Sequence, residues 1–125
     1  MDHSQLVRQT WEAVSRGDLD TLEAALAPDA RWRAVEDGPW NCESRARILE
    51  VMRANLAKGL AGGVEDVFAV GERAVVAFRP DRPDPGGWPL DDGIRYVVLT
   101  VHDGLVSEMK GCADRATALA YAAGY

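Results

Sequence analysis

Residues Ile94 to Cys112 constrain this chain more than any other stretch. Two apolar-rich runs, IRYVVLTV and LVSEMKGC, flank the tripeptide HDG. Asp-Gly suits the left-handed backbone of a two-residue turn, so Ile94 to Val101 and Leu105 to Cys112 read as an antiparallel hairpin. Asp114 then caps a terminal helix carrying Leu119 and Tyr121. A closing hairpin followed by one helix needs the rest of a sheet ahead of it.

That sheet is legible upstream. Leu6, Val7, Trp11 and Val14 recur at helical spacing between Ser4 and Arg16, and Gly17 ends the run. Asp18 caps a short helix, Leu19 to Ala27, with Pro28 beyond it. Ala30 to Val35 alternates apolar and polar residues, as a strand with one buried face does. Ser44 caps the longest helix, Arg45 to Lys58, whose stripe is Ile48, Leu49, Val51, Met52 and Leu56 before Gly59 stops it. A strand at Val64 to Val70, a Gly71-Glu72 turn and a strand at Arg73 to Arg79 follow. Pro80 to Gly93 holds four prolines and three glycines, which excludes regular structure and predicts a long hairpin loop. The order α-α-β-α-β-β-β-β-α predicts an α+β fold with a curved antiparallel sheet, formed as one domain over residues 1–125.

Composition narrows the function classes. A net charge of −6 argues against nucleic acid, because phosphate binding needs clustered Lys and Arg. Arg31, Arg33, Arg45, Arg47 and Arg53 form only a loose basic group, read as a solvated face. Cys42 and Cys112 stand far apart without a CxxC pattern, which predicts free thiols. His3 and His102 supply no metal-ligand spacing, so no metal or cofactor is expected. The start, MDHSQLVRQTWE, lacks the basic and apolar regions of a secretory signal, and no apolar run could span a membrane. The expectation is a cytoplasmic protein.

The helix pair SRGDLDTLEAALAPDARW, the helix SRARILEVMRANLAKG and the ending HDGLVSEMKGCADRATAL resemble the nuclear-transport-factor-2-like superfamily. That superfamily includes ketosteroid isomerases, SnoaL-type polyketide cyclases and limonene epoxide hydrolases. The resemblance implies a cone-shaped, cystatin-like fold, its curved sheet wrapped around the N-terminal helices and one apolar pocket, commonly in dimers. It also implies where acids should stand. Ketosteroid isomerases keep one carboxylic acid neutral in an apolar site, and their tyrosine and two aspartates fall on Thr10, Ala34 and a position near Val97. The aspartate of the other two enzyme types falls on Gly111, and the Arg-x-Asp of epoxide hydrolases becomes Arg95 and Val97. Proton transfer by a carboxyl needs a carboxyl, so the usual catalytic acids are expected to be missing.

Alternation then predicts an inner face. Trp32, Ala34 and Glu36 point inward on the first strand, and Val97, Leu99 and Met109 on the later ones, with Arg95 and Ser107 nearer the rims. Glu36 is the best surviving candidate for a catalytic acid or base; its other reading is a solvated residue opening a loop. Arg95 either orients an anionic or carbonyl ligand or forms a structural ion pair. Trp11 reads as core. Trp32 reads as core or pocket wall, and Trp40 and Trp88, in loops beside prolines, either line the mouth of a pocket or serve as a plug between the loops or a dimer contact. Tyr96, Val98, Thr100 and His102, with Val106 and Lys110, make an outer face suited to a homodimer. Three functions stay open: a binder of a small apolar molecule, an enzyme acting on an apolar carbonyl or polyketide-like compound through Glu36 and Arg95, and a dimeric interaction module.

Overall fold

Short polar caps start the helices and left-handed residues end the turns. A computed structural model describes residues 3–33, 41–57, 62–80 and 94–124 of the chain. Helix α1, His3–Ser15, stops at Gly17, whose φ of +80° suits a residue without a Cβ. Asp18 caps α2, Leu19–Ala25: its Oδ1 accepts from the Thr21 N–H at 3.2 Å and its Oδ2 from the Thr21 hydroxyl at 2.7 Å. Both Thr21 contacts hold the Asp18 carboxyl below its ordinary value, the hydroxyl contact more than the amide. Ser44 accepts from the Arg47 N–H at 3.2 Å ahead of α3, Arg45–Ala57.

The strands are β1 (Leu26–Arg33), β2 (Gly62–Val70), β3 (Arg73–Pro80), β4 (Arg95–His102) and β5 (Leu105–Cys112), and α4 (Arg115–Ala122) closes the chain. The order of elements is the expected one, and the fold is α+β. The largest shift of boundary lies between α2 and β1. Helix α2 ends at Ala25, and β1 begins at once with Leu26, whose backbone is already extended at φ −90° and ψ 137°. The cause is Pro28, which biases the residue before it away from helix. A bulge between Leu26 and Arg31 then accommodates the proline within the strand.

The sheet runs β1-β5-β4-β3-β2. It is antiparallel from β2 to β5, but β1 joins β5 in parallel, so the sheet is mixed and not antiparallel throughout. The antiparallel neighbour of β1 is the returning chain at Cys42, where Trp32 and Cys42 exchange both backbone bonds at 2.9 and 2.8 Å. That leaves the free edge of β5 for the other side of β1. Further bulges at Val64/Asp66 and Thr100/Val101 bend the strands locally.

Two cores result. Val7, Trp11 and Val14 of α1, Leu22 of α2, and Ile48 and Leu49 of α3 pack against Ala74, Val76, Phe78, Val97, Leu99, Val101, Val106 and Met109 on one sheet face. On the other face α4 lays Ala118 and Ala122 over Val75, Ala77, Tyr96, Val98 and Cys112. The outer face read as suited to a homodimer is covered in part by the chain's own last helix.

Candidate functional site

Pairing register builds the inner face in rows. Met109 of β5 lies between Trp32 of β1 and Leu99 of β4, so three of the expected inner residues form one row. Met109 and Leu99 are fully buried, and Trp32 is half-buried against the same core. In the next row Val97 stands opposite Gly111 on β5 and Val76 on β3. The two positions at which the resemblance places carboxyls thus face each other across one strand pair, and both are buried.

The row beyond is formed by Arg95 and Phe78. By alternation from Val97 and Leu99, Arg95 belongs to the inner face. It is half-buried, and its Nε and Nη2 are shielded from solvent. Phe78 in turn meets Trp11 edge-on, with ring centroids 6.1 Å apart and planes at 80°. One end of the inner face therefore brings the Trp11 indole onto the Phe78 ring, on the strand position paired with Arg95. Thr10, beside Trp11, is buried, and its hydroxyl donates to the Leu6 carbonyl at 2.7 Å, so its polar group is spent within α1.

Ala34, Glu36, Trp40 and Trp88 lie outside the described residues, as do residues 81–93 of the expected loop. Ser107 and Val106 exchange the roles alternation gave them. Thr100 pairs with Glu108 and Val101 with Val106, which makes Ser107 the extra residue of a bulge. Its hydroxyl donates to the Thr100 carbonyl at 3.3 Å, and Val106 turns into the inner core. Strict period-two counting fails across a bulge because one residue consumes no partner.

The outer face carries a polar cluster that alternation did not assemble. Glu108 accepts from the Arg33 Nε at 3.0 Å and from the Tyr121 hydroxyl. Arg73 donates from Nε to Thr100 Oγ1 at 3.2 Å and lies 4.9 Å from the centre of the Tyr121 ring. Burial, then the bond to Glu108, pushes the Tyr121 phenol up to about 12. A phenol so held keeps its proton, and the cluster ties α4 to β1, β3, β4 and β5. Two members of the loose basic group form exposed ion pairs, Arg31 with Glu43 at 3.7 Å and Arg47 with Glu50 at 2.5 Å. Cys42 and Cys112 form no disulfide and are buried, and burial pushes both thiols up.

An open depression of about 420 Å³ lies where α1 meets α2, lined by Gly17, Asp18, Leu19, Asp20 and Arg53. Its Asp18 is already engaged as a helix cap. Among the described residues no group of three His, Cys, Asp or Glu side chains could hold a metal ion. No helix there is long and apolar enough to cross a membrane.

Residues 7–109 match the SnoaL-like domain family. The chain belongs to that family. No curated protein matches it. Solved structures similar to this SnoaL-like domain include a Xanthomonas campestris protein of unknown function with a cystatin-like fold, at 17% identity and a TM-score of 0.74, covering 97% of this chain and 98% of that one. A Sinorhizobium meliloti protein carrying a provisional polyketide cyclase assignment is 20% identical with a TM-score of 0.70, over 86% and 93% of the two chains. An epoxide hydrolase of Mycobacterium tuberculosis, similar to limonene epoxide hydrolase, is 18% identical with a TM-score of 0.69, over 91% and 84%. Identities this low speak for a shared fold and leave function to the site itself.

Proposed function

We propose that this SnoaL-like domain binds a small, largely apolar molecule on its inner sheet face without carboxyl-driven proton transfer. The observation that carries the reading is the Val97–Gly111 pair: the counted acid positions coincide in space and hold no carboxyl. Thr10 completes the pattern, its hydroxyl turned back to its own helix. Trp32, Val97, Leu99 and Met109 supply apolar contacts, and Arg95 supplies a fixed fork of donors at the end of the face. A second copy docking on the outer face would meet α4, which covers Tyr96 and Val98, and not bare strands.

Native mass spectrometry of the protein purified from its own host tests this reading. A co-purifying apolar mass is expected, displaced by flat aromatic probes. Repeated preparations without one, together with no uptake of such probes, would remove it.

A further inference from the structure

The indole of Trp11 is 4% exposed and sits inside the inner core. Its Nε1–H is buried and meets no hydrogen-bond acceptor among the described residues. Buried donors are nearly always paired, so each exception calls for a cause. The other polar side chains nearby on α1 show how the helix satisfies itself: Thr10 donates to the Leu6 carbonyl at 2.7 Å and Ser15 to the Trp11 carbonyl at 3.0 Å. An indole has no such route back, because its single donor stands at the far side of a rigid ring. Packing does not require that donor either, since a phenyl ring would meet Phe78 edge-on equally well.

Phe78 is also the cross-strand neighbour of Arg95, so Trp11, through its ring, and Arg95, through its strand position, both adjoin Phe78. We propose that Trp11 contacts the bound molecule directly, its Nε1–H donating to a carbonyl or carboxylate oxygen at the Phe78–Arg95 end of the inner face. The inference rests on the binding reading above and gives that ligand its chemical class: an apolar body bearing an oxygen acceptor. A pure hydrocarbon would leave the donor unmet, whereas an oxygen satisfies it and gains from the positive charge of Arg95. A site built around a donor discriminates against analogues that lack the acceptor.

Three probes of one shape test this: acetylnaphthalene, naphthoate and ethylnaphthalene. Binding is followed by heteronuclear NMR of the indole N–H groups, with the Trp11 signal assigned by its loss in Trp11→Phe. The oxygen-bearing probes should bind about tenfold or more tightly than ethylnaphthalene and move the Trp11 N–H downfield. Comparing acetylnaphthalene with naphthoate separates a neutral carbonyl from a carboxylate. In Trp11→Phe the affinities should converge. Should that variant not fold, Trp32→Phe, Trp40→Phe and Trp88→Phe assign the signal by elimination, and the unaltered protein decides. Equal affinities, or binding with the Trp11 N–H unmoved, would overturn the role of Trp11 and leave inner-face binding standing. Binding by none of the three would overturn both.

Discussion

Tyr121 joins Glu108 and Arg73 on the outer face. It donates to Glu108, lies under Arg73, and has its phenol pushed up to about 12 from an ordinary 10. A raised pKa means that the folded state prefers the protonated form. The phenol's contribution to stability is therefore complete below pH 10 and is lost as pH rises towards about 12. Near-ultraviolet absorbance should show a tyrosine step displaced upward from 10 towards about 12. Tyr121→Phe should remove that displaced step and lower stability by about 1 kcal/mol, the scale of one net hydrogen bond. Urea unfolding reads the loss, and an unchanged midpoint would mean that α4 is held by its apolar contacts alone.

The β4–β5 hairpin shows both what sequence can supply and where it stops. Asp103 and Gly104 have φ of +52° and +77°, so the DG signal specified a turn that L side chains other than Asp and Asn seldom adopt. Gly104→Ala meets no neighbouring atom within 4 Å, so its cost is backbone strain alone, about 1 kcal/mol in chemical denaturation. A stabilising effect would contradict the left-handed turn. The bulge three residues later carried no comparable signal. Nothing in LVSEMKGC marks Ser107 as unpaired, because bulge position depends on the partner strand's register and not on local propensity. The placement of Val106 was lost for that reason, while Val97, Leu99 and Met109 lay beyond the bulge and kept their alternation. Trp11 was legible as core, but an unmet donor exists only in three dimensions. The Glu108–Tyr121–Arg33 cluster joins the distant β1 to the consecutive elements β5 and α4, so periodicity within any one of them could not announce it.

At the scale of the whole molecule, the sheet combines local and distant pairings. Strands β2 and β3, and β4 and β5, are joined by tight turns, whereas the Arg33–Glu108 contact between β1 and β5 spans 75 residues. Local pairs close at lower entropic cost, so β1 should dock after the β2–β5 meander. Leu26→Ala, at a buried position paired with Val106, should cost roughly 2–5 kcal/mol. Denaturant-dependent kinetics should place that loss mainly in faster unfolding, with refolding little changed. Refolding slowed by the full loss would put β1 in the nucleus instead.

The parallel β1–β5 pairing also has a consequence during synthesis. At ~5–20 residues per second, β1 leaves the ribosome roughly 4–15 s before its partner is made. It spends that interval as an unpaired strand, and it remains an edge strand in the finished sheet. Pro28, Asp29, Arg31 and Arg33 suit both situations: a missing amide donor and three charges discourage any stranger from adding to it. The features that make β1 look like a poor strand are the ones that let it wait.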